Sequence, residues 1–181
     1  MPTVKEVLND TKKRLKEQGI DTFSLDSSLL VSEVTGLTKI QLVTHDRDEV
    51  TEEQLDRLEN LVEERLKNKP MQYILGHCEF MGLDFKVTEN TLIPRGDTEN
   101  IVEEVIATIE NSGYNTVLDM CTGTGAIAIS VAHYTKAKVT ASDISKKALE
   151  VARENAQNLN ADVNFIESDL FENINEKFDV I

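Results

Sequence analysis

The spacing of apolar residues divides the chain into a helical first part and a mixed second part. Val4, Val7, Leu8 and Leu15 recur at helical intervals behind Thr3-x-x-Glu6, a capping-box pattern, and Gly19 supplies a stop. Leu25, Leu29, Leu30 and Val34 predict a second helix ended by Gly36, and Ile40 to Val43 a short third segment. Thr51-x-x-Gln54 opens a charged helix with the stripe Leu55, Leu58, Val62 and Leu66, closed by Asn68-Lys-Pro70. Core packing explains these stripes without any functional role.

After Pro70 the pattern changes. Between Tyr73 and Val87 two short alternating runs flank Gly82, which predicts a β-hairpin. Pro94 and Gly96 interrupt the next stretch, and Asp97 or Thr98 is placed to cap a helix carrying Ile101, Val102, Val105 and Ile109. Val117 and Leu118 end a buried strand, Gly123 and Gly125 form a tight turn, and Ala126 to Val131 open an apolar helix. Lys138–Asp143 reads as a second strand. Ser145 caps a helix through Ala148, Val151, Ala152 and Ala156, and Asp162–Ile166 is a third strand. Strands separated by helices make right-handed βαβ units, so the fold class is α/β. The expected organisation is a helical bundle over 1–75, a hairpin linker over 76–92 and a ligand-binding domain over 93–181.

Composition narrows the classes. With 181 residues, 40% of them hydrophobic, the chain can bury one good core or two small ones. It has no apolar run long enough for a membrane span, and its start lacks the basic-then-apolar pattern of a signal peptide. Cys78 and Cys121 have no metal-ligand spacing, nor do His45, His77 and His133, so no metal is expected and the cytoplasm is the default compartment. The net charge of −14 is uneven: residues 1–75 carry 11 basic and 15 acidic side chains, residues 76–181 carry 8 and 18. Without a basic stripe, a direct nucleic-acid partner is disfavoured.

The glycine turn carries the candidate chemistry. A strand, a tight glycine turn and a helix N-terminus let backbone N–H groups approach a ligand closely. Gly123-x-Gly125-x-x-Ala128 fits a dinucleotide fingerprint, while Asp119-x-Cys121-x-Gly123-x-Gly125 resembles the first motif of S-adenosylmethionine (SAM) methyltransferases. Asp119 favours the latter. A dinucleotide sets an anionic pyrophosphate against this turn, which a strand-end carboxylate would repel, whereas SAM brings an ammonium and a sulfonium. Asp143, 24 residues on, falls at the end of the neighbouring strand, where a carboxylate can accept both hydroxyls of a ribose. Ser168-Asp169-Leu170 would border the adenine, the alternative for Asp169 being an ordinary loop acid.

Several segments together resemble one family, the protein-glutamine methyltransferases called PrmC or HemK, which modify bacterial peptide chain release factors. They are Pro70-Met-Gln-Tyr-Ile-Leu-Gly76, Glu79-Phe-Met-Gly82, Leu92-Ile-Pro-Arg-Gly-Asp-Thr-Glu99, the Leu118–Ala128 turn, Ser168-Asp169-Leu170 and Phe178-Asp-Val-Ile181. The resemblance implies a helical substrate-recognition domain, the hairpin linker, and a Rossmann-like SAM-dependent methyltransferase domain that is incomplete. It implies that SAM lies over Cys121, Thr122, Gly123, Thr124 and Gly125, with Asp119 near its ammonium. Asp143 would hold the ribose and Asp169 with Leu170 would lie by the adenine, while Arg95, Asp97, Thr98 and Glu99 would close over the methionine side. The alternative for this last loop is helix capping.

Two positions depart from the family pattern. Cys121 stands where the family has the first glycine of the turn, tolerable at negative φ and strained at positive φ, and Gly96 replaces a proline. The implied reaction is displacement of the SAM methyl by a glutamine amide nitrogen. In the family, the Phe-Asp-Val-Ile strand runs into Asn-Pro-Pro-Tyr, whose Asn side chain and a Pro carbonyl would hold that amide. The chain stops at Ile181 before such a motif, so no catalytic residue is expected within it and activity would need residues beyond Ile181. Phe178–Ile181 would then be an exposed sheet edge prone to self-association. The competing readings are a non-catalytic SAM-binding or release-factor-binding protein, an NAD-dependent Rossmann oxidoreductase, and a methyltransferase acting on DNA adenine or a small molecule.

Overall fold

A computed structural model describes residues 1–181, which divide into two compact units, Met1–Leu75 and Gly76–Ile181.

The first unit is all helical: α1 (Val4–Glu17), α2 (Phe23–Thr35), the one-turn α3 (Gln41–Thr44), α4 (Glu52–Leu66) and the short α5 (Met71–Leu75). Both capping boxes form. Thr3 and Glu6 exchange side-chain-to-backbone bonds at the start of α1, and Thr51 and Gln54 do so at the start of α4. Gly36 ends α2 in the left-handed conformation. Leu15, Leu30, Val31, Val50 and Val62 centre the core.

The α2 stripe differs from the expected one. Leu25 is exposed, while Asp26 and Ser27 are buried. Asp26 can sit inside because Arg65 Nε donates to its Oδ2 at 2.8 Å and Thr22 Oγ1 at 2.7 Å. Buried charge is tolerated only with such partners. Ser27 donates to the Phe23 carbonyl at 2.6 Å, so its hydroxyl is bonded within its own helix. Met71–Leu75 is a helical turn rather than the extended run read from Tyr73 onward.

The second unit begins with the hairpin, β1 (His77–Phe80) and β2 (Leu83–Lys86), paired antiparallel about Met81-Gly82. Both turn residues have positive φ, 53° and 70°, as a tight primed turn requires. Phe80 and Phe85 are buried in the core that also holds Val102, Val117, Ile129 and Val139. A 3₁₀ turn (Gly96–Thr98) leads into α6 (Glu99–Ser112), and neither Asp97 nor Thr98 caps it through its side chain. Ile101 faces solvent, leaving Val102 and Ile109 as the buried residues of α6.

The parallel sheet follows: β3 (Thr116–Met120), α7 (Ala126–Tyr134), β4 (Lys138–Asp143), α8 (Lys146–Asn158) and β5 (Val163–Glu167), in spatial order β3-β4-β5. Asp119 pairs in register with Ala141, and Asp143 with Glu167, so the carboxyl ends of the three strands open on one side of the sheet. Phe178–Ile181 is not a strand. It forms a single parallel bridge, Val117 to Val180, with Leu118 N–H donating to the Val180 carbonyl at 3.0 Å. Asp179 fastens this segment, its Oδ2 accepting from Asn115 N–H, Thr116 N–H and the Thr116 hydroxyl at 2.8–3.0 Å.

Candidate functional site

Open α/β sheets bind ligands beyond the carboxyl ends of their strands, and the glycine turn sits there. Gly125 N–H donates to the Thr122 carbonyl and Thr122 N–H to the Ser142 carbonyl, both at 2.9 Å, so the turn is tied to itself and to β4. Gly123 and Gly125 have φ of 58° and 81°. A side chain at Gly123 would meet nothing within 4 Å, so this backbone faces open space. At Gly125 the reason for glycine is packing as well as φ: a Cβ would lie 2.7 Å from Ile129 Cδ1 and 3.2 Å from Ala152 Cβ.

A cleft of about 210 Å³ adjoins the turn. Cys121, Thr122, Gly123 and Thr124 line one side, with Ala126 and Ile127 from the first turn of α7. Arg95 and Thr98 border it together with Leu92, Ile93 and Pro94, and Phe80 reaches it from the hairpin. Six of the thirteen residues singled out from the sequence therefore meet at one cleft: Arg95, Thr98 and Cys121–Thr124.

The other seven have different places, Asp97 being exposed in the 3₁₀ turn before α6. Asp119, only 9% exposed, is an internal strut: its Oδ2 accepts from the Thr122 hydroxyl at 2.6 Å and from Ala128 N–H at 3.2 Å. Burial pushes its carboxyl above the usual range, the two hydrogen bonds pull it back, and the Asp143 charge adds to the rise. Asp143 is half-buried at the end of β4, its Oδ2 accepting from Gly123 N–H and its Oδ1 from Ser145 N–H, both at 2.9 Å. Each of its oxygens keeps a second lone pair for a ligand hydroxyl. Asp169 and Leu170 lie exposed just past β5, Leu170 at φ 45°, beside a buried Ser168 whose hydroxyl donates to the Leu170 carbonyl at 2.8 Å. Ser168 N–H donates to the Asp143 carbonyl at 3.1 Å, which brings this loop to the same sheet edge. Gly125 turns the chain into α7. Glu99 does not line the cleft: its Oε1 accepts from Met81 N–H at 2.7 Å and so holds the hairpin tip.

Cys121 takes the strained branch of the sequence argument, with φ at 63°. Its thiol is exposed at the cleft. Sequence reasoning missed Tyr134, which donates to the Met81 carbonyl at 2.6 Å and completes the clamp on the hairpin tip. It also missed Asn155, inside α8 and 1% exposed, which contacts both hairpin and turn. An Asn on an otherwise small, apolar helix face was the signal available for it. The arrangement as a whole offers open backbone at Gly123, one half-buried carboxylate with spare acceptor capacity at Asp143, the buried charge of Asp119 behind the turn and an apolar rim, suited to a ligand with a sugar and a cationic end.

Residues 6–76 match the PrmC N-terminal domain and residues 100–181 the methyltransferase small domain. A release factor glutamine methyltransferase of Clostridium acetobutylicum is 40% identical over 184 residues, covering 98% of this chain and 65% of that protein. Its counterpart in Moorella thermoacetica is 40% identical, covering 87% of this chain and 56% of that one. The chain thus spans roughly three fifths of the length of these curated relatives. The fold is similar to the crystal structure of Pyrococcus abyssi tRNA (uracil-54, C5)-methyltransferase in complex with S-adenosyl-L-homocysteine. That likeness has a TM-score of 0.50 at 25% identity, over 57% of this chain and 26% of the other. No helix is long and apolar enough to cross a membrane.

Proposed function

We propose that this chain, which belongs to the PrmC/HemK family, forms the helical and SAM-binding parts of a cytoplasmic release factor glutamine methyltransferase. The observation that carries the reading is the joint match: a PrmC N-terminal domain and a methyltransferase domain on one chain, at 40% identity to named release factor glutamine methyltransferases. The peptide chain release factor would be the protein substrate, and residues 1–75 its recognition domain. Bound SAM would supply a methyl on a sulfonium sulfur, to be taken by a glutamine amide nitrogen as that C–S bond breaks and an amide proton leaves.

The residues present fit such a cofactor. Gly123, with open space where a Cβ would be, lets backbone approach it. Asp143 retains acceptor capacity for ribose hydroxyls, and Asp119 supplies negative charge beneath the turn. Arg95 and Thr98 border the same cleft, and Asp169 with Leu170 stand at the neighbouring strand end. A dinucleotide fits less well. The Gly123 N–H that would meet its pyrophosphate already donates to Asp143, a negative group that would repel that anion.

The test is isothermal titration of the purified chain with SAM and, separately, with NAD. Saturable SAM binding that R95A weakens and NAD leaves unopposed is the expected result. Binding of NAD but not SAM would overturn the assignment.

A further inference from the structure

We infer that Asn155 is a positioning residue that sets the glycine turn by tying it to the hairpin through helix α8. Its side chain makes three hydrogen bonds. Oδ1 accepts from Lys86 N–H at 2.7 Å, and Nδ2 donates to the Lys86 carbonyl and to the Thr124 carbonyl, each at 3.0 Å. The first two imitate one rung of a strand pairing, docking α8 on the outer edge of β2. The third fixes the peptide between the two glycines of the turn.

Nothing but an amide does all of this at once. Asn supplies two N–H donors and a carbonyl acceptor within one short, rigid group, and here every donor is used. Asp would keep the bond from Lys86 N–H but set a negative oxygen against two carbonyls. Leu or Ala would leave three backbone groups without their partner in a dry place, since Asn155 is 1% exposed. Two neighbours reinforce the contact. One turn earlier on the same helix face, Ala152 lies against Gly125, where an added Cβ would come within 3.2 Å of it. Next to Asn155, Glu154 takes Lys86 Nζ at 2.7 Å on both oxygens, anchoring the same residue of β2 from outside.

The hairpin is thereby held at both ends, its tip by Glu99 and Tyr134 on the Met81 backbone and its base by Asn155. Phe80, between those ends, is a wall of the cleft. Asn155 thus sets two sides of the cleft relative to each other without touching whatever occupies it. Its consequence for SAM affinity rests on the cofactor reading above; its control of the turn does not.

The test compares N155A, N155D and, as a control for lost stability alone, I109A, which trims the buried end of α6 away from the turn. Each full chain is measured for unfolding midpoint, for SAM affinity by titration, and for amide hydrogen exchange of Gly123 and Gly125 without added ligand. The expected result is faster exchange at the turn for N155A and N155D and about a tenfold or greater loss of SAM affinity, the scale of one buried group left unpaired. I109A should lower the midpoint while leaving both readouts near those of the parent. If N155A does not fold, N155D, which keeps the volume, decides alone. Turn exchange and SAM affinity unchanged in a destabilised N155 variant would overturn the inference. If the parent chain does not bind SAM, the cofactor reading fails by itself, and turn exchange still decides the role of Asn155.

Discussion

Replacing Cys121 by glycine should stabilise the second unit. The backbone at Cys121 has φ of 63°, where an L residue with a Cβ is held against its own carbonyl. That conformation costs about 1–2 kcal/mol relative to the right-handed one, and glycine escapes it. Glycine also gains freedom in the unfolded chain, which takes back about 0.5–1 kcal/mol. The net is a gain of about 0.5–1 kcal/mol. For a unit of this size, this corresponds to a rise in melting temperature of roughly 2–6 °C. C121A isolates the cause. It removes the thiol and keeps the Cβ, so it should leave the midpoint near that of the parent. Calorimetry of the three chains under reducing conditions reads this directly. A fall in the midpoint of C121G would refute the reasoning, and so would an equal gain in C121A, which would assign the effect to the sulfur instead of the backbone.

Three further outcomes follow from the packing. G125A should lose about 2–4 kcal/mol in chemical denaturation, combining positive φ with overpacking against Ile129 and Ala152; a loss below that of a surface Gly-to-Ala change would show that α7 moves aside freely. D26A should cost the helical unit about 3 kcal/mol, because it leaves the half-buried Arg65 guanidinium without its carboxylate, and a near-neutral midpoint would mean that water reaches that guanidinium. Asp179 is held below the usual carboxyl range by Asn115 and Thr116 backbone donors and the Thr116 hydroxyl. A depressed acid stabilises above its unfolded pKa and loses that contribution as pH falls through its folded one. D179N should therefore be less stable than the parent at neutral pH and converge with it in acid; parallel stability curves at all pH values would refute the assignment.

What could be read from the sequence was whatever local chemistry dictates. Both capping boxes, the Ser145 cap of α8 and the Gly36 stop of α2 depend on residues within a few positions of each other. The hairpin and the strand–turn–helix around Gly123 and Gly125 are equally local, because glycine punctuates them. What could not be read depends on partners far along the chain. Leu25 gives up its expected inward place to Asp26 because Arg65, 39 residues later, makes burial of that carboxylate possible. Glu99 looked like part of a loop over a ligand, but the Met81 backbone, 18 residues earlier, takes its carboxylate. Ile101 faces out because α6 buries Val102 and Ile109, and a stripe that includes all apolar positions cannot say which edge of it is covered.

The polar residues of the site share one physical logic. Thr122 is held through its hydroxyl by Asp119, Gly123 through its N–H by Asp143, and Thr124 through its carbonyl by Asn155. Three successive turn residues are thus fixed by side chains from β3, β4 and α8. A turn held in this way loses little conformational freedom when a ligand arrives, which is the condition for a fixed constellation to orient one. It also gives the two acids different work. Asp119 is buried and holds the turn to the first residues of α7, so its charge acts from below. Asp143 is half-buried and has acceptor capacity left over, so it is the one able to touch a ligand directly. Removing the Asp143 carboxylate should then affect binding more than folding, and removing that of Asp119 should do the reverse. That separation of roles follows from burial and bonding, and a motif that only asks for an acid at each strand end cannot express it.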